Sequence, residues 1–160
     1  MVNDPQIKKD KLAIEGGVPV REKLLPYGKQ FIDGEDIQAV IDVLKSDWLT
    51  TGPTVLEFEK QFADQVEASE GVAVSSGTAG LHCAVYAAGV GPGDEVITSP
   101  ITFMATANCV RYMGAKVVFA DVNPDTLNID PEKIKECLSP KTKAIIAVDF
   151  TGQPAELDTI

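Results

Sequence analysis

The chain has 160 residues, 44 % of them hydrophobic and 24 % charged, a globular mixture long enough for one domain with a real core. Its formal charge of −10, from 24 Asp and Glu against 14 Lys and Arg, argues against a nucleic-acid binder, which needs a basic face, and against a peripheral membrane protein. No run approaches the ~20 apolar residues of a spanning helix, and the opening "MVNDPQIKKDKLAIEGG" lacks the apolar centre of a signal peptide.

Residues 1–32 read as irregular, with Gly16, Gly17, Pro19, Pro26 and Gly28 as breakers. From Asp33 the pattern turns helical: Ile37, Val40, Ile41 and Leu44 recur at three- and four-residue spacing, and Asp33, Glu35 and Asp36 sit where acids suit the helix dipole. The stretch Ser46–Pro53 breaks this helix, and a second reads from about Thr54 through Leu56, Phe58, Phe62 and Val66. After Gly71 short β-rich runs appear at Val72–Val74, Glu95–Thr98, Lys116–Ala120 and Ala144–Val148. Helical segments at Ala79–Ala88, Phe103–Met113 and Pro131–Leu138 separate them. Gly91–Asp94 reads as a turn and Gly114 as a helix stop. Apolar strands alternating with helices indicate an α/β fold whose parallel sheet is covered on both faces.

The three cysteines, Cys83, Cys109 and Cys137, lie far apart with no C-x-x-C pair, and they read as reduced core thiols of a cytoplasmic protein. His82 is the lone histidine, so a metal site is not expected.

Right-handed crossovers bring the carboxyl ends of parallel strands to one edge, where ligands of open α/β sheets bind. Three loops come directly after predicted strand ends: Ser75-Ser76-Gly77-Thr78, Ser99–Phe103 and Asp149–Gly152. Each has two readings. The first loop is either a helix cap or an anion seat, because Ser and Thr satisfy free N–H groups while glycine lets a phosphate approach them. Phe103 is either a core aromatic or a stacking face. Asp149 is either a cap for the next stretch of chain or a candidate ligand group. The glycines match neither G-x-G-x-x-G nor G-x-x-x-x-G-K-[ST].

The stretch "SSGTAGLHCAVYAAGVGPGDEVITSPITFMATANCV" resembles the cofactor-binding core of the DegT/DnrJ/EryC1/StrS family, sugar aminotransferases that use pyridoxal phosphate (PLP). The resemblance runs from about Pro26 to Ile160. "PYG-Q" and "SDWLT-GP" are most similar to the branch that makes UDP-4-amino-4,6-dideoxy-N-acetyl-β-L-altrosamine, on the pseudaminic acid pathway. It implies a three-layer α/β fold with a mainly parallel sheet, the fold-type I large domain in truncated form, with residues 33–160 its first part. It also implies that Ser76, Gly77, Thr78 and Ala79 meet the cofactor phosphate and that Phe103 stacks on the pyridine ring. Tyr27, Asp47, Trp48, Leu49, Thr50, Thr51 and Gly52 would touch the nucleotide-sugar substrate.

The implied reaction moves an amino group from an amino acid, usually L-glutamate, to the C4 ketone of a nucleotide-linked 4-keto-6-deoxy sugar. The full-length family member is expected to be a homodimer. No catalytic residue is expected in this chain, because the Schiff-base lysine of the family lies beyond residue 160 and none of the twelve lysines present has its context. The chain alone is therefore expected to be an inactive N-terminal part. A PLP-dependent sugar dehydratase of the same fold, and a non-catalytic nucleotide-sugar-binding module, are the competing expectations.

Overall fold

The computed structural model describes residues 11–26 and 28–160; the candidate substrate residue Tyr27 lies outside the described residues. The chain divides into two compact units, one ending at Thr54 and the other spanning Val55–Ile160.

In the first unit, helix α1 (Gly34–Lys45) begins at Asp33 through a reciprocal capping box. Asp33 Oδ1 accepts from the backbone N–H of Glu35 at 2.9 Å and of Asp36 at 3.2 Å, while the Asp36 carboxylate accepts from Asp33 N–H at 3.0 Å. The helix ends where the Ser46 hydroxyl donates to the Val43 carbonyl at 2.8 Å. Glu35 and Asp36 in the first turn and Lys45 in the last complement the helix dipole.

Helix α2 (Pro53–Gln65) begins at the boundary, and Phe58 and Phe62, one turn apart, bring their ring centroids to 5.9 Å. The rest of the second unit runs α3 (Gly77–Ala87), β1 (Glu95–Thr98), α4 (Met104–Tyr112), β2 (Lys116–Phe119), α5 (Pro131–Cys137) and β3 (Thr142–Ile146), with a single 3-10 turn at Phe150–Gly152.

The strands form a parallel sheet in the order β2-β1-β3. From β1 the chain steps outward to β2 through α4, then returns across β1 to β3 through α5. Two right-handed crossovers in opposite directions must lie on opposite faces of the sheet, and the packing agrees. On one face Val85 of α3 and Cys109 and Val110 of α4 share a core with Val96, joined by Val117, Ala144 and Ile146. On the other, Ile134 of α5 and Ile129 pack with Ile97 and Ala120, joined by Val118, Ile145 and Ala147. Neighbours such as Val96 and Ile97 serve opposite faces because side chains alternate along a strand. Central β1 is covered on both faces, and Val96, Ile97 and Thr98 have no exposed surface. The unit is thus three layers: α3 and α4, the sheet, and α5.

Two expectations need correction. Val72–Val74 is extended in sequence character but makes no ladder, because none of the three strands lies alongside it. Val72 is 79 % exposed, and the Ala73 N–H donates instead to the Glu59 carboxylate at 2.8 Å. Cys83 is not a core thiol. It lies on the outer side of α3 and is exposed, whereas Cys109 is fully buried and Cys137 partly so. Burial also pushes the Cys109 thiol up, which suppresses its reactive thiolate. Thiol labelling of the native chain, read by mass spectrometry, is therefore expected to modify Cys83 first and Cys109 only on unfolding.

Charge at the amino end of the sheet is organised around Glu95. Its carboxylate accepts from Lys116 Nζ at 2.9 Å and from the Ser139 hydroxyl at 2.7 Å, and these two hydrogen bonds, the lysine's first, hold the carboxyl below the usual glutamate range. A lowered folded-state pKa stabilises the fold above the unfolded value of about 4.3 and loses that contribution as pH falls through the folded value. Glu95→Gln is expected to flatten the loss of stability below about pH 4.3, read by urea melts at pH 3 and pH 7.

Candidate cofactor site

Helix α3 starts two residues earlier than its apolar pattern suggests, so Gly77 and Thr78 form its first turn and Ser76 is the N-cap. The Ser76 hydroxyl oxygen accepts from Ala79 N–H at 3.2 Å, so the capping reading of this loop is realised. It satisfies only one amide. Those of Gly77 and Thr78 have no acceptor among the described residues, as the first turn of a helix dictates. They carry the positive end of the α3 dipole, a ready position for an anion.

Gly77 leaves room for the anion reading beside the cap. Its backbone is not in the left-handed region, and a Cβ built there would meet nothing within 4 Å. Neither local conformation nor packing requires glycine, so the space it leaves is open for a ligand. A phosphate fits this seat: two unclaimed amides, a serine hydroxyl and no side chain in the approach.

The remaining candidates of this unit reach the same edge by topology. Val85 near the end of α3 packs with Cys109 and Val110 near the end of α4, so the starts of the two helices also lie on one side, at the carboxyl edge. Phe103 is the N-cap residue of α4 and is 76 % exposed, so its ring lies outside the core of these residues. Behind it the loop is fixed by polar side chains. Buried Ser99 accepts from Ile101 N–H at 3.0 Å, and the Thr102 hydroxyl donates to Thr106 Oγ1 at 2.8 Å. Thr98 Oγ1 donates to the Ile146 carbonyl at 2.9 Å, tying the end of β1 to the end of β3. Asp149 comes after β3, exposed, with Oδ1 accepting from Ala155 N–H at 2.9 Å. The same loop is held by Asn128, a buried residue that composition and spacing do not single out. Its only sequence signal is a polar side chain between Leu127 and Ile129, just before the α5 cap.

Asp47, Trp48, Leu49, Thr50, Thr51 and Gly52 form their own turn in the first unit. Trp48 N–H donates to Ser46 Oγ at 3.2 Å, Thr51 is left-handed at φ 49°, and a Cβ on Gly52 would come within 2.7 Å of Trp48 Cβ. Gly52 is thus required by close approach, and Trp48 and Leu49 are left exposed.

No lysine of the sheet faces the candidate edge. Lys116, Lys141 and Lys143 stand at or beside the amino ends of β2 and β3. On α5, Lys133 and Lys135 pair with Glu136 at 2.7 Å and Glu132 at 2.6 Å. Among the described residues no three His, Cys, Asp or Glu side chains gather as a metal site, and no helix is long and apolar enough to cross a membrane.

Known proteins share this fold. Residues 30–160 match the model of the DegT/DnrJ/EryC1/StrS aminotransferase family. The spore coat polysaccharide biosynthesis protein SpsC of Bacillus subtilis (strain 168) is 50 % identical over 143 residues, which cover 89 % of this chain and 37 % of SpsC. Among solved structures, Spr1654 from Streptococcus pneumoniae in its PLP form superposes with a TM-score of 0.79 at 32 % identity, over 84 % of this chain and 34 % of that one. NtdA from Bacillus subtilis, with bound pyridoxamine phosphate, gives a TM-score of 0.73 at 35 % identity, over 78 % of this chain and 28 % of NtdA. The chain spans about a third of the length of these relatives. By the match over most of its length, the chain belongs to the DegT/DnrJ/EryC1/StrS aminotransferase family.

Proposed function

We propose that this chain supplies the cofactor-phosphate seat of a PLP-dependent aminotransferase whose amino acceptor is the C4 ketone of a nucleotide-linked 4-keto-6-deoxy sugar. The observation that carries the reading is Gly77, a glycine that the fold does not need, at the open N-terminus of α3. Bound PLP supplies an electron sink for amino transfer. Gly77 and Thr78 N–H groups, with Ser76 beside them and Ala79 behind, would hold its phosphate. The exposed Phe103 ring would lie against the flat face of the cofactor and keep water from it. The Asp47–Gly52 turn, with Tyr27, would meet the nucleotide sugar, and Trp48 offers it an exposed aromatic face.

The sugar substrate draws support from the polysaccharide role in the name of SpsC and from the Trp48 motif. The altrosamine branch on the pseudaminic acid pathway rests on "PYG-Q" and "SDWLT-GP" alone. We place the catalytic lysine beyond residue 160, since the lysines at the sheet stand at its amino end, and the chain alone should not transaminate. The active protein is then a full-length homodimer working in the cytoplasm, where nucleotide sugars and unpaired thiols coexist.

The test is an absorbance titration with PLP of this chain and of the full-length protein. The full-length protein should develop a long-wave band that borohydride traps and L-glutamate discharges, while this chain should show no trapped cofactor. A full-length protein that binds PLP but is indifferent to every amino acid would favour the dehydratase or binding-module readings. A stoichiometric, borohydride-trapped band in the 160-residue chain would show that one of its own lysines serves.

A further inference from the structure

The loop after β3 holds one residue, Thr151, in a conformation that threonine does not favour. Thr151 and Gly152 are successive left-handed residues, at φ 56° and 87°. A non-glycine residue there costs about 1 kcal/mol or more, so its surroundings must over-determine it.

Two side chains do so. Asn128 is 4 % exposed and uses its whole amide. Its Oδ1 accepts from Phe150 N–H at 2.9 Å, and its Nδ2 donates to the carbonyls of Gln153 and Pro154, both at 3.0 Å. One donor and two acceptors around it fix the amide's orientation. Asp149 closes the same loop, its Oδ1 accepting from Ala155 N–H. Asn128 itself belongs to the segment after β2, where Asn123 N–H donates to its carbonyl at 2.9 Å and its own N–H donates to Thr126 Oγ1 at 3.3 Å. One buried amide therefore joins the segments that leave the two outer strands at their carboxyl ends.

This clasp leaves a residue over. Asp149 Oδ2 has no partner among the described residues, and the side chain is exposed at the edge where α3 and α4 begin. A cap for Ala155 would need one oxygen and no charge; asparagine would serve equally.

We infer that Asn128 is a positioning residue of the cleft, fixing the 149–155 loop so that the free oxygen of Asp149 accepts from a hydrogen-bond donor or cationic group of the bound ligand. The inference rests on the proposed function and extends it to two residues on a second loop. Asp149 selects for a donor group, and Asn128 acts through it.

A double-mutant cycle on the full-length protein tests this, using PLP affinity by absorbance titration, KM and kcat with L-glutamate, and melting temperature. Asp149→Asn keeps an acceptor for Ala155 N–H and removes the charge. It should leave the melting temperature unchanged while weakening PLP affinity or raising the glutamate KM about tenfold, roughly the value of one charge-assisted hydrogen bond. Asn128→Ala should produce a similar loss, and the double variant should be no worse than Asn128→Ala alone. Losses that multiply, or an Asp149→Asn protein that binds like wild type, overturn the inference. Should Asn128→Ala fail to fold, Asp149→Asn decides by itself, because its cap is retained. Wild-type protein that takes up no PLP removes the proposed function and this inference together, whereas normal uptake beside unaffected variants removes the inference alone.

Discussion

Replacing Gly77 with aspartate is expected to leave the melting temperature of the chain unchanged or slightly raised, while its affinity for PLP or inorganic phosphate falls about thirtyfold to a hundredfold. The two effects separate because they have different origins. A side chain at Gly77 meets nothing within 4 Å, so no packing is disturbed, and an acid in the first turn suits the α3 dipole. The same carboxylate stands where the phosphate would sit. Two like charges about 4 Å apart near a protein surface repel by up to about 4 kcal/mol, and a net loss of about 2 to 2.7 kcal/mol is that thirtyfold to hundredfold range. Gly77→Ala adds bulk without charge and should cost less. Isothermal titration beside thermal melts checks both halves. A Gly77→Asp protein that binds phosphate as wild type does would remove the anion seat from the α3 N-terminus.

The largest effect on stability is expected at Ile97, where substitution by alanine should cost about 2–5 kcal/mol. Ile97 has no exposed surface and belongs to the middle strand, among Ala120, Ile129 and Ile134. The hole cannot be filled from the sides, since β1 is hydrogen-bonded to β2 on one side and β3 on the other. A urea midpoint shifted without a change in slope would identify this as lost stability rather than a changed unfolded state. Phe103→Ala is the matched control: a larger side chain is removed, but from an exposed position, so ligand stacking should suffer and stability should not.

The apolar spacing made most of this architecture readable. Glu95–Thr98 was recognisable as a strand because three consecutive residues are buried on both faces, leaving no polar alternation. The α1 start was legible in the acids Asp33, Glu35 and Asp36, which suit the helix dipole, and the structure adds that Asp33 and Asp36 close a capping box. The Val72–Val74 run misleads for a reason that no local pattern contains: β-rich residues become a strand only where a neighbour offers a ladder, and none of the three strands does. Likewise Cys83 keeps to the apolar rhythm of α3, yet rhythm does not say which side of the helix finds a partner.

The candidate site divides in the same way. Ser76 and Gly77 stood out in the sequence as either a helix cap or an anion seat. The structure shows the cap, with the glycine's space left open beside it. Phe103 could be placed only once the end of β1 and the start of α4 were known, since exposure rather than residue type separates a stacking face from a core ring. Asn128 was invisible in advance. Its partners are 22 to 26 residues away, and nothing in the sequence pairs an amide with three backbone groups of a later loop.

The central claim, that the first turn of α3 is a phosphate seat, is most directly tested by backbone amide shifts of the 160-residue chain titrated with PLP and, separately, with inorganic phosphate. The account predicts that both ligands move the amides of Gly77 and Thr78 most, with Ser76 and Ala79 beside them, and that PLP alone also moves Phe103. Shifts confined to the lysines at the amino end of the sheet, Lys116 and Lys141, with the α3 amides unmoved, would contradict it.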